Sequence, residues 1–332
     1  MNNLSKFLLS TFCVGLFSIS TVFADKPSLN VYTYSSFGGK SKLKKAFEEK
    51  CGCEVKFEKF DDAILVFNKL RLDGNKSKAD VLIGLDANLI DEAKKSGLFA
   101  ANNLNLNHLQ LPIKWTDQTF LPYDFGEFAF IYNQDKLKNP PKSLAELINR
   151  QDLKVIYQDP RTSSVGRGLL LWMNSAFPAN QIADEWKKLA KHTVTVTKGW
   201  SEAYGAFLKG EADLVLSYNT SPLYHQLNEN EYKYVATKFN QGGILQIEVA
   251  AKLKHSPHQK LADEFLAFLV SPEAQKIIAL NNVMLPVVDV KIDAGYDQLR
   301  QQQLKANVVD TTKINQAMIK KWLTTWQNAL VN

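Results

Sequence analysis

The strongest constraint on this chain is an order of strands and helices that is written out twice. Residues 29–34 alternate as a strand does, Ser35-Ser36-Phe37-Gly38-Gly39 reads as a loop, and residues 42–50 carry an amphipathic helical pattern. A strand at 54–60, a helix at 63–72 and an apolar strand at 81–84 follow, then the loop Leu85-Asp86-Ala87-Asn88 and a helix that stops at Gly97. The second half gives strand 154–158, loop 159–168, helices 169–176 and 184–191, strand 193–197, a helix from Ser201 and strand 214–217. Lys78-Ala79-Asp80 leads into one apolar strand and Glu211-Ala212-Asp213 into the other. Strands joined through helices run parallel, so the fold class is α/β, with two mostly parallel sheets and helices on both faces of each. Two further segments, 125–133 and 243–251, are strand-like and rich in Phe, Ile and Val; they read as crossovers between two lobes. Lobe 1 is therefore expected over 25–125 and 245–332, with the C-terminal helices, and lobe 2 over 126–244. The last helix, 313–330, shows an apolar stripe of Ile314, Met318, Trp322 and Trp326 that suits a core.

Ligands of open α/β sheets sit beyond the carboxyl ends of the strands, and aromatic and hydroxyl residues gather there. In the stretch 197–225, Ser201 suits a helix cap, Gly210 a stop, and strand 214–217 empties into Tyr218-Asn219-Thr220-Ser221-Pro222. Ser221 then caps a helix with Pro222 in its first position. Trp200, Tyr218 and Tyr224 bracket this place, and Tyr34 ends the first strand; each can offer a flat face to a heteroaromatic cation, with core packing as the rival reading. Asp62 suits both an N-cap for the helix at Ala63 and an acceptor for an amine. The loop 159–168 holds Ser163 and Ser164 before a helix, a place for an anion such as phosphate, with Arg161 and Arg167 beside it. No G-x-S-x-G, H-E-x-x-H or P-loop occurs, and the five histidines are scattered, with surface roles expected for each. No catalytic residue, metal site or cofactor is expected.

Lys6, the apolar or small run 7–24 and then Asp25-Lys26-Pro27 read as a secretory signal peptide, residues 1–24, cleaved after Ala24. Cys13 lies within that run without the small residues of a lipoprotein processing site. Lys and Arg number 40 against 34 Asp and Glu, a net +6 that falls to +5 without Lys6. The excess is spread as singles and pairs mixed with acids, which is a solvated surface and not a nucleic-acid footprint. Cys51 and Cys53 alone survive cleavage, and in an oxidising compartment they can close a small loop.

The runs VYTYSSF, RLDGNKSKADVLIGLD, KLKNPPKSL, VIYQDPRTSSVGRGLLLWM, TVTVTKGWSEAYGAFLKGEADLVLSYNTSPLYH and VMLPV are highly specific, and over nearly the whole mature chain it resembles the periplasmic thiamine-binding proteins of bacterial ABC importers. The resemblance implies a type II periplasmic-binding fold whose lobes close over thiamine, thiamine monophosphate or thiamine diphosphate. It implies contacts from Asp62 with Ala63, Ser163 with Ser164, Trp200, and Tyr218 through Asn219, Thr220 and Ser221 to Pro222, with Tyr34 and Tyr224 as ring walls. The implied partners are the permease and, through it, the ATPase; a monomer is expected. The chain departs from the family in having Ala63 in place of a glycine and Val283 in place of a tryptophan; the second change removes an aromatic wall and bears on affinity and phosphate preference. Two alternatives share the fold: a thiamine-cleaving transferase, which needs a cleft cysteine thiolate, and a ferric-ion receptor built on tyrosine oxygens.

Overall fold

The structure is a computed structural model that describes residues 26–306, 308–309, 311 and 314–331. The expected signal peptide lies outside the described residues. Among the described residues eleven strands form one connected sheet: β1 (Ser28–Tyr34), β2 (Glu54–Phe60), β3 (Val81–Asp86), β4 (Phe99–Ala100), β5 (Leu121–Asn133), β6 (Val155–Gln158), β7 (Thr193–Thr197), β8 (Leu214–Tyr218), β9 (Tyr234–Ala236), β10 (Leu245–Leu253) and β11 (Leu285–Pro286). Their order is β2-β1-β3-β10-β5-β8-β6-β7, with β4 on β10 and β9 and β11 on β5. β1, β2 and β3 run parallel, as do β6, β7 and β8. The two expected crossovers are β5 and β10, which pair antiparallel with each other and join the two parallel sets into a single run.

Two main hydrophobic cores lie along this sheet. The first packs β1, β3 and the first half of β5 against helices Lys40–Cys51 and Gln259–Leu269, where Phe47 meets Phe265 edge-on at 4.9 Å. Every residue of β3 is buried, and residues 81–85 of it form a continuous apolar run and not an alternation. The second core gathers Phe128, Phe130, Tyr157, Trp172 and Trp186. Each such buried large side chain contributes about 1.5–3 kcal/mol.

The last helix, Gln316–Val331, corrects the expected grouping, because it packs on the second core through Ile319, Trp326 and Ala329. Trp326 Nε1 donates to Tyr157 Oη at 3.2 Å, and the ring lies under the Arg161 guanidinium at 5.3 Å. Met318 is exposed and Ile319 takes its place in the buried stripe. Three helix starts also differ from expectation. Helix Ser164–Ala176 begins five residues early and carries Gly166 and Gly168 inside it; a Cβ on Gly168 would sit 2.1 Å from the Phe128 ring, so close packing on β5 favours glycine over helix propensity. Helix Trp200–Leu208 is capped by Gly199, which leaves Ser201 inside it, and helix Ser221–Glu229 follows Thr220, which puts Ser221 in the first position and Pro222 in the second.

The sheet order sends the carboxyl ends of β1, β2 and β3 toward those of β6, β7 and β8. Gly84 in β3 has φ +103°, and a Cβ there would fall 2.3 Å from the Tyr34 ring, so this glycine lets Tyr34 lie against the strand. Cys51 and Cys53 form a disulfide at the amino end of β2, a whole strand, on the order of 20 Å, from Asp62.

Trp326→Ala should lower unfolding stability by about 3–5 kcal/mol in urea titration, the usual cost of emptying a large aromatic site. An unchanged midpoint would show that the last helix adds nothing to the second core.

Candidate ligand-binding site

A cleft of about 430 Å³ opens between the two sets of strand ends. Of the residues expected to form a site, Tyr34, Asp62, Ala63, Ser164, Trp200, Tyr218, Thr220, Ser221 and Tyr224 line it. Ser163, Asn219 and Pro222 do not. Ser163 is fully buried at the N-cap of helix Ser164–Ala176, one residue behind the lining. Asn219 is turned to the strand crossing: its Oδ1 accepts from Glu127 N at 3.1 Å and its Nδ2 donates to Gln303 Oε1 at 2.6 Å. Pro222 is buried in its helix.

One wall is aromatic. Trp200 stacks on Tyr204 with centroids 4.9 Å apart, and Tyr204 stacks on His225 at 5.9 Å. The indole is fixed by a bond from Nε1 to Ser217 Oγ at 2.7 Å, and Ser217 Oγ meets Ser221 Oγ at 2.8 Å. Tyr204 Oη lies 2.9 Å from His225 Nε2, and His225 Nδ1 lies 2.6 Å from Glu229 Oε2. His225 is therefore a buried, doubly bonded ring and not the expected surface histidine; His192 is likewise buried, against the carbonyls of Leu153 and Ile148. Tyr218 stacks on Phe128 at 5.5 Å, while Tyr224 is 44% exposed at the rim.

The floor is acidic. Asp62 caps helix Ala63–Asp73 through Ile64 N at 3.1 Å, and the same Oδ1 accepts from Ser164 N at 3.2 Å, across the cleft. Beside it, Asp61 and Lys198 form an exposed ion pair over the same gap. Burial raises the Asp62 carboxyl to about 6, against the pull of those two amides. Asp86 is raised to about 7, again by burial, although Asn88 donates to its Oδ1 twice. Glu248 Oε2 accepts from Tyr34 Oη and Tyr123 Oη, both at 2.7 Å, and from Asn282 Nδ2 at 3.2 Å. Asn282 Nδ2 also reaches Asp124 Oδ2 at 2.8 Å. Burial, then the charge of Glu248, pushes Asp124 well up, and burial raises Glu248 too.

Asn282 is aimed by strain. Val283, next to it and in the cleft lining, has φ +58° as the cap of helix Pro272–Asn282. A β-branched residue in that left-handed region costs on the order of 1–2 kcal/mol. The turn brings Asn282 Oδ1 to Gly38 N at 3.0 Å and Met284 Sδ to Thr220 Oγ1 at 3.7 Å.

The arrangement has close counterparts. The pattern of the bacterial extracellular solute-binding proteins matches residues 76–316. The thiamine-binding periplasmic protein of Haemophilus influenzae is 51% identical over 97% of this chain and 98% of its own length, and that of Escherichia coli is 48% identical over 96% and 98%. A solved periplasmic thiamin binding protein, 47% identical, superposes with a TM-score of 0.84 over 92% of this chain and 96% of its own. The chain belongs to the periplasmic thiamine-binding proteins. The fold is the type II periplasmic-binding fold, shared with iron-bound HitA from Pseudomonas aeruginosa at 20% identity and a TM-score of 0.76. This is a family of binding proteins and not of enzymes.

In this member of the thiamine-binding family, sequence reasoning missed the acids on the crossing strands and the partners of the aromatic wall. Glu248 and Asp124 did carry a signal: each is a carboxylate inside a run of apolar strand residues. Tyr204 and His225 looked like core and surface.

The raised carboxyls set the sign of the pH response of the empty protein. A carboxyl whose folded value lies above its unfolded one holds its proton more tightly when folded, so its stabilising contribution is lost as pH rises through the folded value. Stability should fall between pH 5 and pH 8, the window set by Asp62 at about 6 and Asp86 at about 7. Asp86→Asn keeps an acceptor for Asn88 and removes the charge, so its gain over the parent should grow by about 2 kcal/mol across that window. Thermal melts of both proteins at the two values check it; a parent that melts higher at pH 8 contradicts it.

Proposed function

We propose that this periplasmic protein captures thiamine, thiamine monophosphate or thiamine diphosphate in the cleft and delivers it to the permease of an ABC importer, whose ATPase supplies the energy. The carrying observation is an aromatic wall standing over buried carboxyl groups. Flat apolar faces match a fused or linked heteroaromatic, and desolvated acids match its positive charge. The chain's membership of a family whose members are named for thiamine supports the same ligand. We take residues 26–125 with 245–304 as one lobe, and 126–244 with the last helix as the other. The Asp62–Ser164 bond and the Asp61–Lys198 pair then act as latches of the closed form, and closure gives the permease a surface that differs between loaded and empty protein. A phosphate tail is expected at the Ser163–Ser164 helix start, where it competes with Asp62 for the Ser164 amide.

The cleaving-enzyme alternative lacks support because Cys51 and Cys53 are tied in a disulfide at the far end of β2. The ferric alternative is supported at the level of fold alone, since iron-bound HitA is 20% identical to this chain whereas the thiamine-binding relatives are 48–51% identical.

Titration calorimetry of the mature protein should give one site per chain for at least one of the three ligands. No heat and no tryptophan fluorescence change with any of them would sink the proposal. Trp200→Ala should weaken binding by about 1–3 kcal/mol with folding retained, since a desolvated cation loses its broadest π face. Replacing Cys51 and Cys53 together by serine should leave the affinity unchanged; release of a pyrimidine product by the parent, lost in this variant, would favour the enzyme instead.

A further inference from the structure

Three carboxyl side chains lie side by side across three neighbouring strands. In the register of β10, Glu248 stands directly opposite Asp86 of β3 on one side and directly opposite Asp124 of β5 on the other. Residues opposed in this way share a face, with Cβ atoms about 5 Å apart, and like charges so placed repel. All three side chains are buried. Two of the three carry a buried oxygen, Asp86 Oδ2 and Asp124 Oδ1, with no hydrogen-bond partner among the described residues. A row like this weakens an empty protein, and its cost is offset when a cation arrives.

We propose that Glu248, with Asp124 behind it, reads the positive charge of the ligand, and that a cation entering the cleft drives a proton out of this carboxyl pair. The inference rests on the ligand reading above and adds the residues that select for charge. Of the three acids Glu248 alone lines the cleft. Tyr34, Tyr123 and Asn282 converge on its Oε2 and hold the side chain in place. Asp124 and Glu248 both accept from Asn282 Nδ2, at 2.8 and 3.2 Å, and each weighs on the ionisation of the other, so the pair is close enough to share one proton. Two carboxyls so close cannot both ionise until a positive charge joins them.

The other groups that face the pair do not supply that charge. Tyr34 comes from β1, Asp62 from the turn after β2, Asp86 from β3, Tyr123 from β5, Tyr218 from β8 and Asn282 from the end of helix Pro272–Asn282; these are acids, phenols and an amide. The cation on the helix Ser164–Ala176, Arg167, feels the charge of Glu92 first and then those of Asp86 and Asp62, and its Nε donates to the carbonyl of Pro160 at 3.1 Å. The thiazolium is the missing countercharge. Its arrival stabilises the ionised pair, the shared proton leaves to solvent, and affinity rises with pH.

The test is calorimetry of thiamine binding at pH 7.5 in buffers of different ionisation enthalpy, with dissociation constants measured from pH 6 to 8.5. The parent should release up to about one proton per chain, with affinity rising by at most about tenfold per pH unit. Asp124→Asn should bind thiamine with most of that release gone, and Glu248→Gln should bind at least about tenfold more weakly at pH 7.5 with a flat pH profile. Thermal melts establish that both near-isosteric variants are folded, and the parent's proton count stands without them. Thiamine binding by the parent with no proton release, or release undiminished in Asp124→Asn, overturns this inference and leaves the ligand reading intact. A parent that binds neither thiamine nor either of its phosphate esters removes both.

Discussion

The antiparallel pairing of β5 with β10 holds the rest of the molecule in place. Each of these long strands leaves one parallel set and borders the other, so the pair supplies both the link between the two cores and the floor of the cleft. The backbone bonds of the ladder continue beyond it, from Phe128 N to the carbonyl of Ile244, where the chain passes from one core to the other. Asn219 and Gln303 brace this passage from either side by bonding to each other and to Glu127. A floor made of main-chain ladder stays put while side chains above it adapt, which suits a site that lies between two cores.

On that floor the protein keeps several features that weaken it when empty. Three acids share one face, unmatched carboxyl oxygens are buried, and Val283 sits in a left-handed conformation next to the asparagine that orders the acids. Strain and unpaired polarity of this kind persist only where the surrounding structure overdetermines them, and they gather at functional sites. Here the surroundings are two cores rich in Phe, Trp and Tyr, whose burial stabilises the whole by far more than the site costs. The aromatic wall is organised in the same spirit. Trp200, Tyr204 and His225 are stacked and bonded in series down to Glu229, so the indole face is set before any ligand arrives.

Much of this was legible in the sequence because much of it is local. Apolar periodicity marks strands and helices, and hydroxyl or aromatic residues at strand ends mark a pocket; hence the α/β class, the two crossing strands and the placement of Tyr34, Asp62, Trp200 and Tyr218 in one cleft. The specific runs of residues carried the family as well. Local signals failed where a distant neighbour decided the outcome. Gly166 and Gly168 look like helix breakers until the Gln158 backbone is seen against the first and the Phe128 ring against the second, and the last helix looks like an attachment of the nearest core until Trp326 is seen against Tyr157.

The sequence by itself therefore determined the secondary structure, its alternation, the aromatic character of the site and the family. Only the tertiary structure decided which acids meet, that His225 is interior, and that Cys51 and Cys53 are joined. The reason is the range of the interactions. Helix and strand periodicity is written within ten residues, whereas Glu248 meets Tyr123 across 125 positions and Asp62 meets the Ser164 amide across 102. Contacts of that span follow from sheet register, and register is fixed by the packing of the whole chain.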